Sequence, residues 1–301
     1  MTAHDTRKKP NRACMSYGGG VQSTAIALLT LNRDERLLDV TGGVTPELYL
    51  FADTGDERKA TYAHVWKMAK LFEARGQRLD IVMKTQDEYT RGRTLSEHIV
   101  TSNGGRKKNI STAPFFVETK SGTRLAPIRR GCTSRWKIEP LMRAQRRHFS
   151  PARGEKEPQW QQWIGISVDE AQRMKDAQKP YYMVFYPLIW MGWSRQHCVE
   201  YLKTQTYADG SPVAIVRSSC VYCPFHDTEE WNHVRSDEDD WQAAIEFERG
   251  AQQAWREGRL AGIKAKPFLH PSGVNIDEVN FEEDDSQLTL WDNECAGICG
   301  V

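Results

Sequence analysis

Residues 18–20 are three consecutive glycines, preceded by an apolar segment at 13–15 and followed by a run typical of a helix at 24–29. Glycine allows a sharp turn and a close approach of the backbone to a ligand, so this order predicts a strand, a tight turn and a helix N-terminus. N–H groups at a helix start attract an anion, and hydroxyl side chains flank the glycines. We therefore predict a pocket for phosphate or pyrophosphate. An ordinary glycine turn with a serine N-cap is the alternative.

The composition is typical of a soluble globular protein. The chain has 301 residues and a net charge of +1, so overall charge predicts no polyanion partner and any basic surface must be local. The polar, basic start at 1–12 lacks the apolar core of a secretory signal, and the longest apolar run, 181–193, is too short for a membrane span. Seven cysteines then predict a reducing, cytoplasmic location in which thiols serve metal binding or chemistry.

Apolar segments and helical patterns alternate along the chain. Besides the strand at 13–15, we predict strands at 47–55, which ends in a polar turn, at 79–83 and at 163–166, and a helix at 61–73. Further predicted elements are a hairpin at 115–119 and 123–126, helices at 135–147 and from the N-cap Ser194 to about 202, and a helical, highly charged segment at 231–259. This order predicts an α/β fold with a doubly wound, mostly parallel sheet, whose ligands bind beyond the carboxyl ends of the strands.

Two motifs resemble those of a known superfamily. The segment Ser-Tyr-Gly-Gly-Gly-Val-Gln-Ser-Thr at 16–24 resembles the PP-loop of the N-type ATP pyrophosphatases and of the related sulfonucleotide (PAPS/APS) reductases. It is neither a Walker A loop, since no Gly-Lys-Ser/Thr follows, nor a Rossmann Gly-x-Gly-x-x-Gly. The Asp-Thr-Gly at 53–55 with Thr-Tyr at 61–62 is similar to a second element of that superfamily, which lies beside the nucleotide. Further matches at 165–173 and 186–202 extend the resemblance over about 12–226.

The resemblance implies a PP-loop, HUP-like domain at 1–226 that binds ATP with Mg²⁺. A helical, cysteine-bearing extension and a mobile tail would follow at 227–301. The carboxylate of Asp53, at a strand end, would hold the ribose or the Mg²⁺, and capping of the next helix is the alternative. The residues predicted to bind the nucleotide are Ser16, Gly18, Gly19, Gly20, Gln22, Ser23, Thr24, Asp53, Thr54 and Gly55.

Three cysteines match a cluster-binding pattern. Cys220 and Cys223 form a Cys-x-x-Cys, and Cys132 lies in a segment that resembles the Cys-Cys-x-x-x-Lys-x-Glu-Pro-Leu of cluster-bearing APS reductases, with Gly131 in place of one cysteine. The resemblance implies that the three thiolates hold a [4Fe–4S] cluster. The fourth iron is open or is bound by Cys198, a tail cysteine or an outside ligand; for Cys198 a place in the core is the alternative. Zinc and a thiol–disulfide pair are the alternatives for the site.

The C-terminal tail and two basic residues are the other candidates for chemistry. The Glu-Cys at 294–295 resembles the tail that carries the nucleophilic cysteine of sulfonucleotide reductases, although an alanine interrupts the match and no histidine follows. Cys295 and Cys299 are therefore predicted nucleophiles or persulfide carriers. Arg135 and Lys137 would place positive charge near a cluster or an anionic substrate, with a solvated helix face as the alternative.

The resemblance implies two activities. In the first, an ATP pyrophosphatase adenylates an acceptor, pyrophosphate leaves, and sulfur displaces the adenylate with the help of the cluster. Nucleic acid is the expected acceptor, given the basic segments 106–108 and 143–147; a sulfur-donor protein and a second copy of the chain are the other expected partners. In the second, a sulfonucleotide reductase releases sulfite. A non-catalytic nucleotide- and cluster-binding subunit is the third hypothesis. The complete glycine loop, suited to the β- and γ-phosphates of ATP, favours the first.

Overall fold

The computed structural model describes residues 9–84, 93–101, 113–118, 125–127, 131–260 and 263–281. In this part of the chain the strands are β1 (Ala13–Ser16), β2 (Leu48–Asp53), β3 (Leu79–Met83), β4 (Phe116–Glu118), β5 (Leu125–Pro127), β6 (Trp160–Trp163) and β7 (Tyr182–Phe185). Five of them form a parallel sheet in the order β3-β2-β1-β6-β7, and β4 pairs with β5 as an antiparallel hairpin. The predicted parallel sheet and the predicted hairpin are thereby confirmed.

Helices connect and flank these strands. In chain order the α-helices of the described residues are α1 (Val21–Leu31), α2 (Glu35–Thr41), α3 (Lys59–Ala74), α4 (Leu95–Val100), α5 (Glu139–Phe149), α6 (Pro187–Trp190), α7 (Arg195–Lys203), α8 (Thr228–Arg235) and α9 (Glu238–Arg256). A π-helix at Thr133–Ile138 leads into α5, and 3₁₀ turns lie at Val168–Arg173 and Ile276–Glu278. The predicted N-cap of α7 is confirmed, because the Ser194 hydroxyl accepts a hydrogen bond from the His197 N–H.

The sheet buries both of its faces. Because side chains of a strand alternate between the two faces, Met15 of β1 packs with α1, α3 and α7, whereas Cys14 packs with α5 on the other side. The same alternation separates Phe51 from Leu50 on β2. Helices on both faces of a parallel sheet are consistent with the predicted doubly wound fold.

A third hydrophobic cluster lies outside the sheet. It joins residues of α4 and the π-helix to Val221, Tyr222 and the helices α8 and α9. The segment 263–281 contributes Leu269, Ile276 and Phe281, all buried, so this part of the predicted tail packs on the protein. The proposed domain boundary at 226 stays a prediction, and this cluster contains residues from both sides of it.

Several element boundaries differ from the predicted ones. The strand predicted at 163–166 is β6, which pairs from Trp160 and ends at Trp163. The apolar run at 181–193 contains the unpredicted β7, and Pro187 then starts α6. The helical segment predicted at 231–259 is two helices, because the carboxylate of Asp237 accepts hydrogen bonds from the first N–H groups of α9. No helix within the described ranges is long and apolar enough to cross a membrane.

Candidate functional site

The glycine loop lies where the strand order of the sheet reverses direction. It connects β1 to α1, and β1 stands between β2 and β6, so the loop opens at the crevice where ligands of such sheets bind. Gly19 has a φ of +76°, and an added β-carbon there would lie 3.2 Å from Val65, so this position requires glycine. The N-cap of α1 is Gly20, with no side-chain cap, which makes the serine N-cap alternative wrong. The first N–H groups of α1 lack intrahelical partners, as at any helix start.

A small cleft lies over this loop. It encloses about 30 Å³, room for about one water molecule. Of the predicted nucleotide-binding residues, Ser16, Gly18, Gly20, Gln22 and Ser23 line it, and Gly19, Thr24, Asp53, Thr54 and Gly55 do not. The full lining is Ser16, Gly18, Gly20, Val21, Gln22, Ser23, Gly165, Arg195, Val216, Arg217 and Ser218. A triphosphate on the loop needs more room than this cleft encloses.

Two arginines of the cleft were not predicted. Arg217 is ion-paired with Asp227 and lies 3.6 Å from Glu230, so its guanidinium is held in place. Arg195 is the first residue of α7, and its backbone N–H donates to Asp169 Oδ1 over 3.0 Å. Its guanidinium has no ion pair within the described residues. No local sequence motif predicts either residue, because the fold brings both of them to the loop from distant parts of the chain.

The loop that follows β6 fixes the start of α1. Gly165 packs so closely that a β-carbon on it would lie 2.8 Å from the Ser23 nitrogen. The Gln22 amide donates to Glu170 over 2.9 Å, and Glu170 also pairs with Arg173 at 2.5 Å. Burial raises the pKa of Glu170 above its ordinary value, against the lowering effect of Arg173. Gln22 is thus held by a buried network at the edge of the cleft.

A second buried network lies beneath the glycine loop. His64 Nε2 is 2.8 Å from the Tyr17 hydroxyl and 3.0 Å from Thr24 Oγ1. Its Nδ1 is 2.6 Å from the Tyr207 hydroxyl, which accepts a hydrogen bond from the Ala214 N–H over 3.0 Å. The imidazole therefore links the loop to the chain segment that leads over the cleft. Thr24 belongs to this network rather than to the cleft surface.

The burial of His64 predicts a loss of stability in acid. Burial lowers its pKa to about 4, so the folded protein favours the neutral imidazole. The contribution of His64 to the free energy of unfolding is complete above the unfolded pKa of about 6.5. It is lost as the pH falls towards 4, a change of about 3 kcal/mol. We expect the free energy of unfolding, measured by urea titration between these pH values, to fall less steeply in His64→Gln than in the unmodified protein.

The exposed His233 provides the matched control. His233→Gln should retain the full pH dependence of stability, whereas His64→Gln should retain only part of it. The buried His226 contributes to the remaining pH dependence, because its pKa is lowered to about 3. Equal slopes for the two variants would show that His64 does not carry the effect.

The Asp-Thr-Gly turn follows β2 at the same edge of the sheet. Asp53 Oδ1 accepts hydrogen bonds from the Gly55 N–H and the Tyr62 hydroxyl, each over 2.7 Å. The N-cap of α3 is Arg58 without a side-chain bond, so the alternative in which Asp53 caps that helix is wrong. Asp53 Oδ2 makes no hydrogen bond or ion pair within the described residues.

The Asp-Thr-Gly turn contacts the Cys-x-x-Cys turn directly. Thr54 Oγ1 lies 3.3 Å from Cys220 Sγ, and the Tyr222 hydroxyl donates to Asp56 over 2.7 Å. Burial raises the pKa of Asp56 above its ordinary value, against the lowering effect of its hydrogen bonds. Glu57, whose side chain is fully buried, pairs with Lys137 at 2.9 Å. Neither Asp56 nor Glu57 was predicted, because their partners are far away in the sequence.

The candidate ligand cysteines of the described residues occupy two regions. Cys132 and Cys220 are half-buried beside the third hydrophobic cluster, and Cys223 is buried nearby in the same turn as Cys220. Burial raises the pKa of the Cys220 thiol well above its ordinary value. Cys198 lies instead in the core between α7 and α1, and burial raises its pKa to about 12.

Among the described residues these thiols do not form a ligand group. Over the described ranges, no three His, Cys, Asp or Glu side chains are placed together as metal ligands. The position of Cys198 separates it from Cys132 and Cys220. Cys295 and Cys299 lie outside the described residues, and Arg135 lies in the π-helix together with Lys137. The [4Fe–4S] cluster and zinc stay predictions of the resemblance.

Comparison with known proteins adds no relative. No protein-family model, no curated protein and no solved structure matches the chain.

Proposed function

We propose that the chain is an ATP pyrophosphatase of the PP-loop type that transfers AMP to an acceptor. The observation that carries this proposal is the cleft that is lined by the glycine loop, the start of α1 and two arginines, Arg195 and Arg217. N–H groups at a helix start and arginines are the groups that proteins use for phosphate oxygens. Their convergence at the carboxyl end of β1 favours a ligand with several phosphates.

The expected reaction follows from these groups. An acceptor oxygen attacks the α-phosphorus, the bond to the bridging oxygen breaks, and pyrophosphate leaves. Preorganised N–H groups and guanidinium charges stabilise the negative charge that develops on the leaving group. Mg²⁺ usually binds through one or two carboxylates together with phosphates, and Asp53 Oδ2, which has no hydrogen-bond partner among the described residues, fits such a role. Bound Mg²⁺ would neutralise phosphate charge.

The sulfur-transfer part of the proposal rests on one contact. Cys132, Cys220 and Cys223 do not meet as a ligand set in the described chain, so we assign no step to a cluster or to zinc. The contact between Thr54 and Cys220 nevertheless places a thiol next to the turn expected to lie beside the nucleotide. Sulfur transfer to the adenylated acceptor is the continuation that this juxtaposition supports.

Arg195→Gln tests the nucleotide site. We expect ATP with Mg²⁺ to stabilise the unmodified protein against heating more than APS or PAPS at the same concentration. Loss of a charged hydrogen bond costs about 1.5–3 kcal/mol, so the variant should bind ATP about 10- to 100-fold more weakly. Isothermal titration would measure this change.

The control is Arg33→Gln, an exposed arginine beyond the far end of α1. It removes the same charge and should leave ATP affinity unchanged. Equal ATP affinity in Arg195→Gln and the unmodified protein would contradict the site. A preference for APS or PAPS would favour the sulfonucleotide reductase instead.

A further inference from the structure

A second and larger groove runs along α5, away from the glycine loop. It has a volume of about 680 Å³ and lies between α5 and the segment 178–182, which leads into β7. This volume falls within the range of about 300–1,000 Å³ that is typical of ligand sites. The proposed ATP site does not use it.

One wall of the groove is strongly basic. Arg143, Arg146 and Arg147 are exposed and lie on one side of α5, since residues three and four positions apart share a helix face. Lys179 adds a fourth cation from the opposite wall. None of the four makes an ion pair among the residues that the structure describes. The acidic lining residue, Glu139, is paired with Lys84 at 3.1 Å.

The opposite wall also carries an aromatic surface. Tyr181 is half-buried, and its ring centroid lies 5.4 Å from that of Trp160 and 5.8 Å from that of Tyr182. Tyr182 is itself fixed, because its hydroxyl accepts a hydrogen bond from the Gln178 N–H over 3.1 Å. Tyr181 therefore presents a supported ring in the groove beside these four cations.

These features select one class of ligand. A row of cations follows a chain of phosphates, and an aromatic ring stacks on a base whose face is free. In a duplex the base faces are already stacked on each other, so a duplex would use the cations but not the ring. With a net charge of only +1 for the whole chain, the four cations form a local patch rather than a general excess. We propose that this groove binds a single-stranded segment of nucleic acid.

The groove also reaches the edge of the sheet that carries the ATP site. Its lining begins at Ser134 and Ile138 in the π-helix, and Lys137 of the same turn pairs with Glu57 in the loop after Asp53. A strand that follows α5 would thus be led towards the carboxyl ends of β1 and β2. The proposed groove therefore extends the proposed function. It rests on that function in one respect only, because the bound strand is identified as the acceptor of AMP.

The test measures strand binding without ATP. We would follow the fluorescence anisotropy of labelled oligo(dT) and oligo(U), about 16 nucleotides long, and of a duplex of equal length. The test variant carries Arg143→Gln, Arg146→Gln and Arg147→Gln. Each single-strand phosphate contact contributes about 0.7 to the slope of log affinity against log salt, so the slope should fall by about 2 and affinity at low salt by tenfold or more. Tyr181→Leu should weaken single-strand binding about tenfold and leave duplex binding unchanged.

The matched control removes three exposed cations from the opposite face of the sheet, through Arg33→Gln, Lys70→Gln and Lys203→Gln. It has the same net charge as the test variant and should bind like the unmodified protein. Three results would each contradict the proposed strand-binding groove. They are an equal loss of affinity in the two triple variants, tighter binding of duplex than of single strands, and no binding by the unmodified protein. ATP binding, measured separately on all variants, should not change, so a failed groove and a failed ATP site are distinguishable.

Discussion

Replacement of Gly165 by alanine is expected to abolish ATP binding while the fold is retained. The new β-carbon would lie 2.8 Å from the nitrogen and 3.1 Å from the Cα of Ser23. Both contacts are with backbone, which cannot rotate away as a side chain can. The start of α1 must therefore shift, and with it the N–H groups that are to meet the phosphates. Overpacking of this kind costs about 1–3 kcal/mol, which a domain of this size tolerates.

Thermal unfolding with and without ATP would measure the effect. At an ATP concentration of about 100 times its dissociation constant, the unmodified protein gains about 2.7 kcal/mol, and Gly165→Ala should gain nothing. Gly154→Ala is the control, since Gly154 has a left-handed φ of +82° with no atom within 4 Å of the added β-carbon. It should lose some stability and keep the full ATP effect. An ATP effect retained in Gly165→Ala would contradict the assignment of the phosphates to this loop.

The sequence was sufficient to predict a mostly parallel sheet, four of its five strands and the position of the glycine loop. Both depend on local signals: apolar runs that alternate with helical periodicity, and glycines at a strand end. The strand β7 was missed because its residues belong to a longer apolar run that continues into α6, where periodicity does not mark a boundary. The π-helix before α5 was missed for a similar reason, since its pattern resembles that of an α-helix.

The composition of the site was less predictable than its location. Arg195 and Arg217 lie far from the glycine loop in the chain, and no short motif predicts their approach to it. The pairing of Glu57 with Lys137 also joins distant segments. Lys137 was predicted as a cation near the substrate, and the structure identifies a buried partner for it. Long-range partners decide whether such a charge faces a ligand or another residue.

Lys137→Gln is expected to destabilise the protein by about 3–5 kcal/mol, because it leaves the buried carboxylate of Glu57 without its cation. The Lys137 side chain is only 12% exposed and that of Glu57 is 0% exposed, so solvent cannot replace the lost charge. Urea denaturation would measure the change as a lower midpoint with an unchanged slope. Lys59→Gln is the control: this lysine pairs with Asp237 on the surface, and its loss should change the midpoint little.

The double variant Glu57→Gln/Lys137→Gln separates a structural role of Lys137 from a catalytic one. Removal of both charges leaves no unpaired buried carboxylate, so the double variant should be more stable than Lys137→Gln alone. If Lys137 only positions the loop after Asp53, pyrophosphate release should recover together with stability. If its ammonium group acts on the substrate, release should stay low in the double variant despite the restored midpoint. Equal midpoints for the single and double variants would contradict the coupling of the two side chains. We expect recovery of both properties, because the structure places the ammonium group against Glu57.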